Sequence, residues 1–329
     1  MSTKPINIGV VGVGHLGIHH VKHYAAISNV NLLGIYDPDI KRSNYVAKKY
    51  KTIAFQNLKK LIKDVDALSI VTPTPNHFKT AKLCLKNKKH VFIEKPITVT
   101  LEEANKLLDL SKDNSTIIQV GHIERLNPAL MALEPYDINP KFIEIQRLAP
   151  YTVRGTDVPV VLDKMIHDID ILLSLVKSEV SSLEATGMSI ITDSLDMAHA
   201  RIQFKNGTTA SLMSSRIAQH DVRKIKLFQK NLYSTIDLLK GTTEIYKVEK
   251  NEKYKSDILK SADFQRNGKK QLITYMKPEI KKHDALELEL RNFSNSIIGK
   301  EKPIVDGKSG RDALSIALDI QTIIKKDLS

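Results

Sequence analysis

The chain reads as an α/β protein in two parts: a doubly wound parallel sheet, then an α+β domain on a large, open, mostly antiparallel sheet. Three observations predict this. Across residues 1–125, short apolar runs alternate with helical patterns, as they do where strands are joined by crossover helices. From about Arg125 the runs lengthen, and apolar residues alternate with polar ones. Between two such runs stands Asn206-Gly207, a two-residue hairpin turn. A length of 329 residues fits two domains. They are taken as 1–125 and 126–329, with the C-terminal helix free to pack back on the first.

The first element is a buried strand carrying Ile6, Ile8, Val10 and Val11, which breaks into Gly12-Val13-Gly14-His15-Leu16-Gly17. A helix follows to residue 26, with Leu16, Ile18, Val21 and Tyr24 apolar, and residues 31–36 form the second strand. Residues 41–50 read as helix, 52–55 as a short strand and 57–63 as helical turns. The fourth strand, 66–71, ends in Thr72-Pro73-Thr74-Pro75-Asn76-His77, where two prolines stop it and Asn76 is expected to cap the helix over 78–86. The fifth strand, 90–93, runs into Glu94-Lys95-Pro96. Thr100-Leu101-Glu102-Glu103 is a capping box, and the sixth strand, 116–120, ends in Gly121-His122.

In the second part, 142–148 reads as a strand and 160–176 as a helix. Ala198, Ala200, Ile202 and Phe204 alternate with His199, Arg201, Gln203 and Lys205, so one face is apolar and the other polar. The chain returns through Ala210, Leu212 and Ser214. Further strands are expected at 223–228, 234–238 and 244–248, and closing helices at 286–298 and 311–325. Residues 249–270 are lysine-rich and weakly patterned, which suggests a surface loop or frayed hairpin.

The first turn carries the clearest chemistry. Gly12 permits a tight turn, Gly14 lets backbone approach a pyrophosphate, and Gly17 lets the helix pack close to the strand. The helix N-terminus offers unpaired N–H groups to the phosphates. Asp37, at the end of the second strand, can accept both hydroxyls of the adenosine ribose and would repel a 2′-phosphate. Strand, helix, second strand and acid in register predict a Rossmann domain that binds NAD rather than NADP.

Composition excludes several classes. No apolar run approaches the roughly 18 residues of a membrane span, and the N-terminus leads straight into a strand without a signal-peptide pattern. The single cysteine, Cys84, lies among apolar helix positions and reads as a small buried hydrophobe, consistent with a cytoplasmic protein. A net charge of +13 attracts anions, but the lysines are dispersed in short clusters such as Lys86-Asn87-Lys88-Lys89. With 5% aromatic residues and no tryptophan there is no stacking platform for bases. Neither a nucleic-acid nor a membrane partner is expected, and no metal site is read.

Three residues join the nucleotide fold to a reaction. Lys95 follows the fifth strand, at the carboxyl edge where such sheets bind ligands. Asp163 and His167 stand four apart on the expected helix and so point the same way. A carboxylate one turn from an imidazole can fix its orientation and tautomer. Taken singly, a lysine after a strand is usually surface, and an Asp/His pair is usually a local hydrogen bond.

Together with the Gly-rich turn, Thr72-Pro73 with Asn76-His77, Glu94-Lys95-Pro96, the Asp163/His167 spacing and a helix after Gly307, they make the chain resemble the Gfo/Idh/MocA oxidoreductases along nearly its whole length. The resemblance implies NAD(P)-linked oxidation or reduction of a sugar or cyclitol hydroxyl, with the open sheet used to form a homodimer or homotetramer. It implies Lys95, Asp163 and His167 as the catalytic set. The implied cofactor contacts are Gly12, Gly14, His15, Leu16, Gly17, Asp37, Thr72, Pro73, Asn76, His77, Glu94 and Lys95.

A narrower likeness is carried by Gly121-His122-Ile123-Glu124-Arg125-Leu126-Asn127-Pro128-Ala129, by Arg154-Gly155-Thr156-Asp157-Val158 and by Met165-Ile166-His167-Asp168-Ile169-Asp170. These are similar to a bacterial subgroup, the UDP-N-acetylglucosamine 3-dehydrogenases, whose 3-keto product leads to lipid A precursors. His122, Arg125, Asn127, Arg154 and Thr156 are then the substrate candidates. His122, Arg125 and Arg154 suit an anionic diphosphate but serve equally well as ties between domains. Dehydrogenation of a free cyclitol or simple sugar, or NAD(H) sensing without turnover, are the alternatives; a sensor needs none of the catalytic three. A lysine at its reference pKa of about 10.4 is charged at neutral pH, whereas a histidine at about 6.5 is largely neutral. His167 is therefore the expected base, Asp163 its orienting group, and Lys95 the donor to the reacting oxygen.

Overall fold

The N-terminal sheet is built from β1 (Ile6–Val11), β2 (Val30–Tyr36), β3 (Ile53–Ala54), β4 (Ala67–Ile70), β5 (His90–Glu94) and β6 (Ile118–Gly121). All pairings are parallel and the order is β3-β2-β1-β4-β5-β6. That order belongs to the Rossmann fold, and the switch between β1 and β4 opens a crevice beyond the strands' carboxyl ends. Gly12, Asp37, Lys95 and His122 each follow directly on the end of a strand there. The computed structural model describes residues 4–152, 158–249, 258–266 and 269–328.

The connecting helices are α1 (Gly17–Tyr24), α2 (Ile40–Tyr50), α3 (Leu58–Asp64), α4 (His77–Lys86) and α5 (Leu101–Asp113). Thr100 and Glu103 form the expected capping box on α5. Ile8, Val10, Ile35 and Phe92 pack with Tyr24 of α1 in one buried cluster. Leu286, Leu290 and Phe293 join it. At Asn76 the outcome differs from expectation. Thr74–Asn76 is a 3₁₀ turn, α4 begins at His77, and the Asn76 side chain makes no capping hydrogen bond. The prolines already shape that turn, so helix entry does not depend on a side-chain cap.

The chain divides into two compact units, residues 1–123 with 284–315 and residues 124–283 with 316–329. The first crossing lies two residues from the boundary read in the sequence. Two later helices, α8 (Ala285–Ile297) and α9 (Gly307–Leu328), return chain to the first unit, with α9 continuing into the second.

In the second unit, α6 (Pro128–Met131) precedes β7 (Phe142–Leu148), and α7 (Ile166–Val176) precedes β8 (Val180–Met188). Then follow β9 (Met197–Phe204), β10 (Thr209–Ser215), β11 (Val222–Gln229), β12 (Leu232–Asp237), β13 (Thr242–Glu249), β14 (Ile258–Arg266) and β15 (Lys269–Met276). Among the described residues they form one sheet in the order β14-β15-β13-β12-β11-β7-β10-β9-β8. Only the β7–β10 pair is parallel in it. Asn206-Gly207 makes its hairpin, with Gly207 at φ +82° and Gln203 paired to Thr209. Ala198, Ala200, Ile202 and Phe204 are buried along one face of β9.

Three features add to or depart from the sequence reading. β8 has no counterpart in it. Of the two readings of residues 249–270, loop or frayed hairpin, the described part favours the second: it supplies β14 and the start of β15, paired antiparallel at the sheet's end, and β15 runs on to Met276. The helix expected over 160–176 begins as a π-helical turn, Val161–Met165, and becomes α-helical only at Ile166.

Candidate functional site: a dinucleotide cleft and a histidine-bearing helix

A cleft of about 730 Å³ lies at the carboxyl edge of the parallel sheet, within the range of cofactor pockets. Gly12, Gly14, Leu16, Asp37, Thr72, Pro73, Asn76, His77, Glu94 and Lys95 line it. His15 is exposed and stacks edge-on with His19. The glycines behave as a phosphate turn requires. Gly12 has φ +87°, and a Cβ there would lie 2.7 Å from the Val71 carbonyl oxygen. A Cβ on Gly17 would run into the Gly12 carbonyl, so helix and turn could not close. Gly14 has nothing within 4 Å of its Cβ position, which leaves open the space a pyrophosphate would take. The residues present therefore fit a dinucleotide.

Asp37 is fixed before any ligand arrives. Its Oδ2 accepts from Val13 N–H at 2.8 Å and its Oδ1 from Asp39 N–H at 2.9 Å. Each carboxylate oxygen keeps a further lone pair for a ribose hydroxyl. Arg42, on the first turn of α2, also lines the cleft. The sequence reading passed over it; its position five residues after Asp37 was the available signal.

Other expected cofactor residues act partly as braces. His77 is 1% exposed, with Nδ1 2.9 Å from the Pro96 carbonyl and Nε2 2.8 Å from the Thr72 carbonyl. Burial lowers its pKa, so the neutral ring donates to one of the two and ties the proline turns together. Glu94 is buried, its Oε1 3.1 Å from His20 Nε2 and its Oε2 accepting from Lys95 N–H. His20, inside the first helix, has no role in the sequence reading. Lys95 is half-buried at the cleft's edge. Cys84 is fully buried, and burial pushes its thiol up to about 12, as an inert packing residue requires.

In the second unit, Asp163 lies in the π-helical turn and His167 in the first turn of α7, so the pair straddles the junction of the two helix types. π-Helical turns recur at functional sites. Asp163 is partly exposed, with Lys164 Nζ at 3.8 Å. The acids flanking His167 are committed elsewhere. Asp168 is gripped by Arg147, which also donates to Glu124 at 2.9 Å. Asp170 takes a two-pronged contact from Arg125, Nε at 2.6 Å and Nη2 at 2.7 Å. The Arg125 fork is thus occupied by a carboxylate.

Of the remaining substrate candidates, Asn127 caps α6 by accepting from Ala129 N–H and donates to Glu124 and the Leu238 carbonyl. His122 is buried at the end of β6. Arg154 and Thr156 lie outside the described residues. Among the described residues no cluster of three or more His, Cys, Asp or Glu is arranged to hold a metal ion.

Comparison with known proteins identifies the family. Residues 6–122 match the family described as an oxidoreductase family with an NAD-binding Rossmann fold, and residues 149–229 match the GFO/IDH/MocA C-terminal domain. The UDP-N-acetylglucosamine 3-dehydrogenase of Acidithiobacillus ferrooxidans is 35% identical over 321 residues, 96% of each chain. A solved structure of that enzyme superposes with a TM-score of 0.88 at 34% identity, covering 99% of this chain and 100% of the other. The scyllo-inositol dehydrogenase of Lactobacillus casei, solved with NAD(H) and scyllo-inositol, shares the fold at 21% identity and TM-score 0.78, over 98% of both chains. The Gly-rich turn, the acid after β2, the lysine after β5 and identity along almost the full chain lead to one conclusion: this protein belongs to the Gfo/Idh/MocA family of NAD-binding oxidoreductases.

Proposed function

We propose that the protein oxidises the 3-hydroxyl of a UDP-N-acetylhexosamine to the 3-keto sugar, with NAD as oxidant. The observation that carries this reading is 35% identity to a UDP-N-acetylglucosamine 3-dehydrogenase over 96% of both chains. NAD, when bound, supplies the acceptor for the hydrogen and electron pair that leave the carbinol carbon. The hydroxyl proton goes to His167, which Asp163 orients and whose charged form it stabilises. Lys95 donates to the reacting oxygen and favours its developing negative charge. With the forks of Arg125 and Arg147 held by Asp170 and Asp168, His122 and Arg154 remain our candidates for the substrate diphosphate, and Thr156 is a further candidate substrate contact.

The same reading includes a dimer or tetramer formed through the open sheet. Phe142, Phe228, Tyr233, Tyr246 and Tyr275 pair in register across β7, β11, β12, β13 and β15, with adjacent ring centroids 4.7–5.9 Å apart. Phe142, Phe228 and Tyr246 are 36%, 39% and 41% exposed, an apolar stripe suited to a second copy. No helix among the described residues is long and apolar enough to cross a membrane, and we place the reaction in the cytoplasm.

The test is NADH formation, followed by absorbance, with UDP-N-acetylglucosamine, UDP-N-acetylgalactosamine, free N-acetylglucosamine, myo-inositol and scyllo-inositol. Turnover confined to the nucleotide sugars is expected. Preferred turnover of a cyclitol or free sugar overturns the substrate assignment. NADH binding with no turnover of any compound makes the protein a sensor.

A further inference from the structure

Glu94 is held from three sides within the N-terminal unit. His20 Nε2 stands 3.1 Å from Glu94 Oε1, and His20 Nδ1 stands 2.9 Å from Ser69 Oγ. Lys95 N–H donates to Oε2 at 3.3 Å. The third side is Gly121, opposite Glu94 in the β5–β6 register, where a Cβ would sit 2.8 Å from Oε1. His20 and Ser69 are both fully buried, and the imidazole packs edge-on against Phe92 with centroids 5.4 Å apart.

The donor directions follow from the chemistry. A carboxylate only accepts, so His20 Nε2–H donates to Glu94. A neutral ring then has Nδ1 as its acceptor, and the Ser69 hydroxyl donates to it. Every hydrogen of the Ser69–His20–Glu94 chain points toward the carboxylate. Ser69 lies on the fully buried central strand β4, where the buried Tyr24 hydroxyl also interacts with it. The chain's capacity is to orient. Glu94 in turn lines the cleft beside Lys95, on the opposite side of the β1/β4 switch from Asp37. If Asp37 marks the adenosine end, Glu94 faces the nicotinamide end.

We propose that His20 is a positioning residue of the cofactor site: with Gly121 it fixes the Glu94 carboxylate to accept from N–H or O–H donors of the nicotinamide half of NAD. The assignment rests on NAD binding and on Asp37 marking the adenosine end, not on the identity of the sugar. A link that merely fastened α1 to the sheet would alter stability without separating cofactor binding from substrate binding.

The experiment is an NADH fluorescence titration without sugar, on wild type, His20→Leu, His20→Gln and Gly121→Ala, with melting curves to verify folding. His20→Leu removes the donor to a charged acceptor and should raise the NADH dissociation constant at least about tenfold. The KM for NAD should rise in parallel while the KM for the sugar stays constant. Gln carries an amide N–H to the position of Nε2, so His20→Gln should remain within about threefold of wild type. Gly121→Ala displaces the carboxylate and should weaken NADH as His20→Leu does. NADH affinity within twofold of wild type in His20→Leu, or equal weakening in His20→Gln and His20→Leu, overturns the assignment. Should His20→Leu fail to fold, Gly121→Ala decides: weakened NADH binding supports the proposal and unchanged binding overturns it. Because no sugar is present, a wrong substrate assignment leaves this result untouched.

Discussion

Arg147 grips Asp168 through three contacts, its Nε 3.0 and 2.9 Å from the two carboxylate oxygens and its Nη2 2.7 Å from Oδ1. Asp168 adjoins His167 in the first turn of α7, so this clamp sets the helix that carries the proposed base. Burial raises the Asp168 pKa, and the charge and hydrogen bonds of the Arg147 guanidinium oppose that shift. Removing one partner of a buried pair leaves an uncompensated charge, at a cost of about 3–5 kcal/mol. Arg147→Ala should therefore lower the unfolding free energy by about that much in a urea titration. Adding Asp168→Asn should recover part of the loss, because the stranded charge is then gone. A single variant as stable as wild type would show that the clamp contributes nothing.

Asp196 provides a pH-dependent contribution of known sign. Burial opposes its ionisation, but the Thr192 hydroxyl and the N–H groups of Ile191, Ile190 and Thr192 outweigh burial and draw its pKa down to about 2. A carboxyl whose folded pKa is depressed stabilises above its unfolded value of about 3.9 and loses that contribution as pH falls through the folded value. The stability gap between wild type and Asp196→Asn should therefore be widest above pH 5 and shrink toward pH 2. Denaturant midpoints at pH 6 and pH 3 measure it. A gap that grows on acidification contradicts the assignment.

At the cofactor cleft, Asp37 is preorganised by the N–H groups of Val13 and Asp39. Asp37→Ala removes an acceptor with charge, a loss of about 1.5–3 kcal/mol per hydrogen bond, and should weaken NAD by about tenfold or more. Discrimination against NADP should fall at the same time, since the repulsion of a 2′-phosphate is gone. Comparison of kcat/KM for the two cofactors tests both effects. A wild type that prefers NADP would exclude the role given to Asp37.

The aromatic ladder carries the assembly prediction. Tyr233 contacts Phe228 at 4.7 Å and Tyr246 at 5.8 Å, in the middle of the stripe. A lysine at Phe228 and another at Tyr246 would set charges into the proposed interface of two copies. Light scattering should give a dimer or tetramer for wild type and a smaller species for this double variant. A wild type of one-chain mass at micromolar concentration rules the interface out.

What was legible in the sequence followed from local rules. Gly12, Gly14 and Gly17 declare a phosphate turn because spacing and steric demand are both local, and Asn206-Gly207 declares its hairpin for the same reason. β9 was readable because one face is buried and the other is not. β8 was not: as an edge strand it has Gly187 as its one buried position, so no apolar period marks it. The π-helical turn at Val161–Met165 differs from an α-helix in hydrogen-bond register, which residue pattern does not encode. Nothing in the sequence singles out His20, because its partners, Ser69 and Glu94, lie 49 and 74 residues away. Arg125 looked like an anion ligand because its own carboxylate, Asp170, stands 45 residues on.

The division of labour between His167 and Lys95 decides the proposed chemistry. Oxidising a secondary alcohol requires loss of the hydroxyl proton as the carbon-bound hydrogen departs with its electron pair. A histidine near its reference pKa of about 6.5 accepts that proton at neutral pH, whereas a lysine near about 10.4 already carries one. His167→Ala should therefore cut kcat by about 10²–10⁴-fold, the usual yield of general-base catalysis, with NADH affinity nearly unchanged. Asp163→Asn keeps the shape but loses the charge that steadies the imidazolium, and should fall between this variant and wild type. Lys95→Met removes the donor to the developing oxyanion. Its turnover should drop by a further large factor, about 10²–10³-fold for loss of one such donor, and raising the pH should not restore it. If His167→Ala retains near-normal turnover while Lys95→Met is inactive, the roles are reversed, and lysine takes the proton.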